Sequence, residues 1–227
     1  MSAREQYLAM DMTSIAQANN FILVYPEGST EIGSSNTLIW NSGPYQELSQ
    51  TKASADDLSY VEDLINELQR LYSINASKIY VTGFSNGGFM VYALACYKSD
   101  LFAAIAPIAA IMTQEALSES SSNPCNPDKN LPVIHFHGTN DYIVNINFGY
   151  QARDFWKQRH QAFNEEIINL TDSQNSRQVQ HFKYSNGLSE TVVEFVKIHN
   201  GYHETFQSMD VDEKNSSQMI WDFFNRF

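Results

Sequence analysis

An α/β domain built around a mostly parallel sheet is the fold class that this sequence predicts. Short β-branched and aromatic runs alternate with segments whose apolar residues recur at helical spacing, the pattern of strands joined by crossover helices. Residues 78–97, KIYVTGFSNGGFMVYALACY, pass from one such run through Gly83-Phe84-Ser85-Asn86-Gly87 into an apolar helical run. With 227 residues, 43% of them hydrophobic, the chain is long enough to bury a sizeable core as one domain over residues 1–227.

Each element follows in order. Phe21-Ile22-Leu23-Val24-Tyr25, stopped by Pro26, reads as a short strand buried on both faces. Residues 27–54 turn polar and rich in Gly, Ser and Asn, with Trp40 and Tyr45 among them, a stretch too long and aperiodic for an ordinary connection. Leu58, Val61, Leu64, Ile65, Leu68, Leu71 and Tyr72 recur at helical spacing, with Ser54 or Asp56 available as N-cap. A strand over 78–82 and a helix over 89–96 come next, then a buried strand over 102–110 and a Ser/Asn/Pro loop over 118–130. Residues 132–137 form another strand ending at Gly138, and 147–168 read as mostly helical, with Phe148, Phe155, Trp156 and Phe163 on the apolar side. Residues 179–184 and 191–198 flank Asn186-Gly187, a hairpin with a loop longer than two residues. An amphipathic helix over 216–226, using Met219, Ile220, Phe223 and Phe224, closes the chain; no internal repeat or linker interrupts it.

The formal net charge of −12, from 26 acidic and 14 basic residues, argues against a nucleic-acid partner, which would call for a basic face. No run approaches the roughly 18 apolar residues that a membrane span requires. The start MSAREQYLAMDM has neither a basic n-region nor an apolar h-region and is not expected to be a signal peptide. The sequons at Asn75, Asn169 and Asn215 are read as incidental.

The Gly-x-Ser-x-Gly pentapeptide is a weak signal alone; it arises by chance in roughly one chain in fifteen of this length. Its setting, strand before and helix after, is that of a sharp turn presenting the Ser85 hydroxyl above a sheet edge, with the helix N–H groups facing any oxyanion formed there. A serine nucleophile needs a base and a group to orient that base. Asp141 follows the strand ending at His137, and His203 follows the strand ending at Ile198, so both fall on the edge that carries Ser85. The chain order Ser85, Asp141, His203 is that of an α/β hydrolase. Against these readings, Ser85 has a plain turn role, Asp141 a turn-capping role with Asn140, and His203 the rivals His199, His181 and His160. A metal site is the competing chemistry: His135 and His137 share a strand face and Asp141 follows, but no second ligand cluster is evident and none is expected. An oxyanion turn at His137-Gly138 is excluded because such a turn precedes the nucleophile.

These residues resemble the esterases grouped with polyhydroxybutyrate depolymerases and feruloyl or acetylxylan esterases, within the α/β-hydrolase superfamily. The resemblance runs from about Leu8 to the C-terminus through Val24-Tyr25-Pro26-Glu27-Gly28, Trp40-Asn41, Asp56-Asp57, residues 78–88, Phe102-Ala103-Ala104-Ile105-Ala106-Pro107, His137-Gly138-Thr139-Asn140-Asp141 and Trp221-Asp222-Phe223-Phe224. It implies an α/β-hydrolase fold, with Ser85 as nucleophile, Asp141 as acid and His203 as base. Two departures stand out. Where the family has Gly-Gly-His followed by Trp-Pro, this chain reads Asn200-Gly201-Tyr202-His203-Glu204-Thr205-Phe206. Family members also begin with further strands and a His-Gly turn that donates an oxyanion N–H, whereas this chain opens near where that turn ends. The expected sheet therefore lacks its N-terminal strands, and the Asn86 N–H is the one assignable oxyanion donor.

The resemblance implies a serine carboxylic-ester hydrolase working through an acyl-enzyme, without a cofactor, on a small or polymer-linked feruloyl, acetyl, hydroxyalkanoate or short-chain ester. The alternative is a non-catalytic relative that binds esters or a protein partner. Trp40 and Tyr202 are the candidate aromatic lining of the substrate site, with simple packing the other reading for Trp40. Cys96 and Cys125 fall at the rim opposite the active edge, where the family often has a disulfide; two unpaired thiols are the alternative. With the bond, a secreted or periplasmic protein is expected, its targeting segment upstream of Met1; without it a cytoplasmic one stands. An uncovered sheet edge would invite pairing with a second copy.

Overall fold

The computed structural model describes residues 2–30, 38–42, 55–186 and 192–227. Tyr45, Ser54, Gly187 and Thr191 lie outside them. Two short helices open the chain, α1 (Ala3–Ala9) and α2 (Thr13–Asn19), followed by the two-residue strands β1 (Ser29–Thr30) and β2 (Leu38–Ile39), which pair antiparallel. Ser2 starts α1 with a capping box, its side chain accepting from the Glu5 N–H while the Glu5 carboxylate accepts from the Ser2 N–H.

A second sheet forms the body. In chain order its parts are α3 (Asp57–Leu71), β3 (Tyr80–Phe84), α4 (Asn86–Tyr97), β4 (Ala104–Ile108), α5 (Gln114–Leu117), β5 (Val133–Gly138), α6 (Ile146–His160), β6 (Asn164–Asp172), β7 (Arg177–Ser185), β8 (Val193–Ile198) and α7 (Ser216–Phe224). The strand order is β3-β4-β5-β8-β7-β6: β3, β4, β5 and β8 are parallel, and the β6–β7 pair continues the sheet antiparallel. This is the α/β-hydrolase topology with a mostly parallel sheet flanked by helices, and among the described residues β3 ends it on one side.

Burial follows the pleat. Ile105, Val133, Val193 and Phe195 face a core shared with α3, α4 and α6, while Ala104, Ile108, Ile134, Phe136 and Val196 face a second core under α7 and Met10 and Met12. Each fully buried Ile or Phe of this kind contributes roughly 1.5–3 kcal/mol. Helix α4 is apolar all round and buried along residues 88–96, as befits a helix sandwiched between the sheet and α3. Asp56 caps α3, its side chain accepting from the Ser59 N–H.

Two elements depart from the sequence reading. The helix expected over 147–168 stops at His160, where Gln161 turns left-handed, and β6 begins at Asn164. The residues of β6 alternate polar groups into solvent, so the segment carries too little apolar signal to read as a strand, and Phe163 is largely exposed. The run 21–25 pairs with no strand among the described residues. Phe21 stacks on Trp221 at 4.5 Å and Leu23 packs on the α7 core, whereas Ile22 and Val24 are exposed, so alternate residues are only partly buried and the rest face solvent.

Candidate active site

The β3–α4 junction turns on Ser85, whose φ of 54° and ψ of −120° place a non-glycine residue in a sparsely populated region. Such a conformation costs on the order of 1–3 kcal/mol and persists only where its surroundings enforce it. Here the Ser85 N–H donates to the Ile108 carbonyl at 3.0 Å, and the Ser85 carbonyl accepts from the Phe89 N–H at 2.9 Å. Close approach sets the glycines. A Cβ on Gly83 would lie 2.5 Å from the Gly87 backbone, and one on Gly88 would lie 2.7 Å from the Ala110 Cβ, whereas one on Gly87 meets nothing within 4 Å. The tight helix–sheet contact thus falls on Gly88, one residue past the pentapeptide.

Asn86 is the first residue of α4, so its N–H is among those that find no partner within the helix. Its side chain does something the sequence reading did not anticipate. The Asn86 amide oxygen accepts from the Trp40 N–H at 2.7 Å, and its NH2 donates to the Trp40 carbonyl at 3.2 Å. The next residue is held as well: the Asn41 N–H donates to the Asp57 carboxylate at 2.6 Å, and the Asn41 NH2 donates to the Ala55 carbonyl at 2.6 Å. Burial pushes the Asp57 carboxyl up, against the lowering effect of the Asn41 N–H. The Trp40-Asn41 and Asp56-Asp57 pairs in the sequence were the available signal. The Trp40 ring stacks on Tyr60 of α3 at 6.3 Å.

Asp141 and His203 meet across two loops. The His203 Nδ1–H donates to Asp141 Oδ2 at 2.8 Å, and Asp141 Oδ1 accepts from the Ile143 and Val144 N–H groups at 2.9 and 2.8 Å. The Asp141 carboxylate is fully buried, which raises its pKa, but the His203 hydrogen bond and the two N–H donors outweigh burial and hold it below its ordinary 3.8. Backbone bonds lock the loops together: the Asn140 N–H donates to the Gly201 carbonyl at 2.8 Å, and the Asn200 N–H donates to the Thr139 hydroxyl at 2.8 Å. With its proton on Nδ1, His203 keeps Nε2 as an acceptor. The ring lies against that of Phe84, the residue before Ser85, with centroids 4.6 Å apart. Among the described residues no hydrogen bond joins Ser85 to His203; such contacts are often long before substrate binds.

The rival histidines are engaged elsewhere, His199 with Gln180, His181 with Glu194 and His160 with the Leu131 carbonyl. His135 and His137 are not arranged as metal ligands: their ring nitrogens are taken up by Tyr92, by each other and by the Val144 carbonyl. Around Asp141 and His203 stand three exposed side chains, Tyr142 at 85%, Ile143 at 69% and Tyr202 at 53% exposure, with the two tyrosine rings 6.3 Å apart. Far from them, Cys96 and Cys125 are joined in a disulfide with Cα atoms 4.8 Å apart.

Residues 6–199 match the family described as Phospholipase/Carboxylesterase. Among curated proteins, the chain is 32% identical to feruloyl esterase B of Piromyces equi over 48% of its length, and 23% identical to the bifunctional acetylxylan esterase/xylanase XynS20E of Neocallimastix patriciarum over 94%. It is also 26% identical to feruloyl esterase D of Neurospora crassa over 77%. These matches cover 19%, 28% and 57% of the respective relatives, so the chain spans only part of their length. The fold is shared with an acetyl xylan esterase from Aspergillus awamori at a TM-score of 0.65 and 13% identity, covering 99% of this chain and 84% of that one. Arabidopsis thaliana SOBER1 follows at 0.60 and 14%, covering 100% and 93%.

Proposed function

Since the chain belongs to the phospholipase/carboxylesterase family, we propose that it is a serine carboxylic-ester hydrolase whose triad is Ser85, His203 and Asp141. The observation that carries this reading is the buried Asp141 carboxylate bonded to His203 Nδ1 at 2.8 Å, on the sheet edge where Ser85 sits in its strained turn. His203 Nε2 takes the Ser85 Oγ proton as Oγ attacks the ester carbonyl. The tetrahedral oxyanion collapses as the same proton passes to the departing alcohol, leaving an acyl-enzyme. Water then repeats the sequence, giving its proton to Nε2, and Ser85 leaves with the acid released. Asp141, ionised throughout, stabilises the imidazolium, and the Asn86 N–H at the start of α4 faces the oxyanion.

The exposed Tyr142, Ile143 and Tyr202 beside the acid and base favour an ester carried on a larger body, which can lie across these rings while its acyl group enters. Relatives named for feruloyl and acetylxylan esters and for poly(3-hydroxyalkanoate) fit that reading. The Cys96–Cys125 bond supports an exported protein, because such bonds persist in oxidising compartments.

Hydrolysis of p-nitrophenyl acetate, methyl ferulate and acetylated xylan by the wild type and Ser85→Ala tests the proposal. Turnover of at least one ester by the wild type and none by the variant is expected. Equal turnover by both would reject the triad.

A further inference from the structure

Behind the catalytic acid runs a buried line of polar side chains that ester hydrolysis leaves unused. The Tyr92 hydroxyl is 2.6 Å from His135 Nδ1, His135 Nε2 is 2.9 Å from His137 Nδ1, and His137 Nε2 is 2.8 Å from the Val144 carbonyl oxygen. None of the three side chains reaches solvent. Burial, reinforced by their mutual proximity and by Arg153, holds His135 well below its ordinary 6.5, and burial likewise lowers His137, so both rings are neutral.

Neutral rings carry one proton each, and the end of the line decides where. A carbonyl oxygen only accepts, so His137 must hold its proton on Nε2, which leaves Nδ1 an acceptor. His135 must then donate from Nε2, its Nδ1 becomes an acceptor, and the Tyr92 hydroxyl supplies the remaining proton. The direction of every bond is thereby fixed. Helix α6 makes room for the arrangement: a Cβ on Gly149 would come within 2.7 Å of His137 Nδ1 and 3.2 Å of His135 Nε2. Val144, where the line ends, is also the residue whose N–H donates to Asp141 Oδ1. His137 therefore grips from behind the loop that presents the carboxylate to His203, and His137 Nε2 is itself 3.7 Å from Asp141 Oδ2.

We propose that Tyr92, His135 and His137 are positioning residues: a one-directional donor chain that fixes the 141–144 loop, its direction set by the Val144 carbonyl and its far end closed by the Tyr92 hydroxyl. The role rests on reading Asp141 as the triad acid; the tautomers do not. Without the hydroxyl, His135 Nδ1 becomes a buried acceptor with no donor, while the Val144 carbonyl still favours the same direction. In the reversed direction the His137 Nε2 lone pair faces the Val144 carbonyl oxygen, and the loop loses its anchor.

Long-range 1H–15N spectra of histidine-labelled wild type, Tyr92→Phe and Ser85→Ala read the tautomers directly, beside p-nitrophenyl acetate kinetics. Expected are Nε2–H tautomers at both histidines in the wild type and in Ser85→Ala. In Tyr92→Phe the Nε2–H tautomers should persist, because the Val144 carbonyl still sets them, while the unpaired His135 Nδ1 loosens the chain and kcat falls by about 10-fold or more, since a slight misplacement of a catalytic group is costly. KM should stay within about twofold, since uniform binding is untouched. His137→Gln, which keeps an N–H able to reach Val144, should retain more kcat than His137→Leu at matched thermal stability. An Nδ1–H tautomer at either histidine in the wild type would overturn the chain, and that spectrum decides even if Tyr92→Phe fails to fold. An unchanged kcat in Tyr92→Phe would overturn the positioning role. A wild type that turns over no ester would reject the proposed function and remove the positioning role with it, while the spectra still decide the donor chain.

Discussion

Strands β5 and β6 belong to one sheet yet obey different constraints. All six residues of β5, VIHFHG, are buried, with cores pressing on both faces. Most of β6, NEEIINLTD, is exposed, and it sits at the sheet's outer edge. The first kind of strand has little choice of residue, so its polar members must be bonded, and the loop after it can be held to the accuracy that chemistry needs. The second is held by its ladder to β7 and leaves its side chains free to be polar, which also blunts the edge against pairing with another chain.

Substitutions sharpen the contrast. The largest effect is expected at the loop that β5 presents: Asp141→Asn should lower kcat by about 10⁴-fold with the fold intact, since the amide favours the wrong tautomer of His203. A loss under tenfold would break the link between the buried half and catalysis. Within β5 itself, Phe136→Ala should cost about 3–5 kcal/mol in denaturant unfolding, the range for a fully buried Phe. Next comes the Cys96–Cys125 bond, which spans 29 residues between α4 and the segment before β5; its removal by Cys125→Ser should cost roughly 3–4 kcal/mol.

Acid should also act through the buried half. Burial keeps His135 and His137 below the ordinary 6.5, so the unfolded chain binds protons that the folded chain refuses. Stability is then full above that value and falls as pH drops through it, by up to about 1.4 kcal/mol per pH unit for each histidine. Asp141 and Glu194 are both raised by burial and more strongly lowered by their partners, His203 with two backbone N–H groups in one case, His181 and Arg226 in the other. Their contribution holds above the ordinary 3.8 and 4.5 and disappears as pH falls through the lowered values. Urea midpoints should therefore begin to fall near neutrality, not first in the carboxylate range. At the other end of the scale, Ile167→Ser on β6 should change stability by no more than about 0.5 kcal/mol.

The same contrast explains what the sequence disclosed. Strands β4, β5 and β8 are largely buried and mostly apolar, and β3 is β-branched and aromatic, so all four were legible, and with them the shared edge that brings Asp141 to His203. Strand β6 alternates too weakly to be told from the helix before it. The run 21–25 misled for the opposite reason, being apolar at every position while only alternate residues are even partly buried. Tyr92 looked like one more residue of an apolar helix, and His135 like a candidate metal ligand. Their bond joins residues 43 positions apart, and no local pattern encodes it. The Asn86 clamp on Trp40 was hidden in the same way, by a separation of 46.

The central claim is that Ser85 is an activated nucleophile, and labelling with a fluorophosphonate probe tests it most directly because no substrate need be known. Intact mass and peptide mapping of the wild type should show a single adduct, on Ser85, absent from Ser85→Ala and strongly slowed in Asp141→Asn. A folded wild type that takes no adduct, or takes it on another residue, would contradict the account.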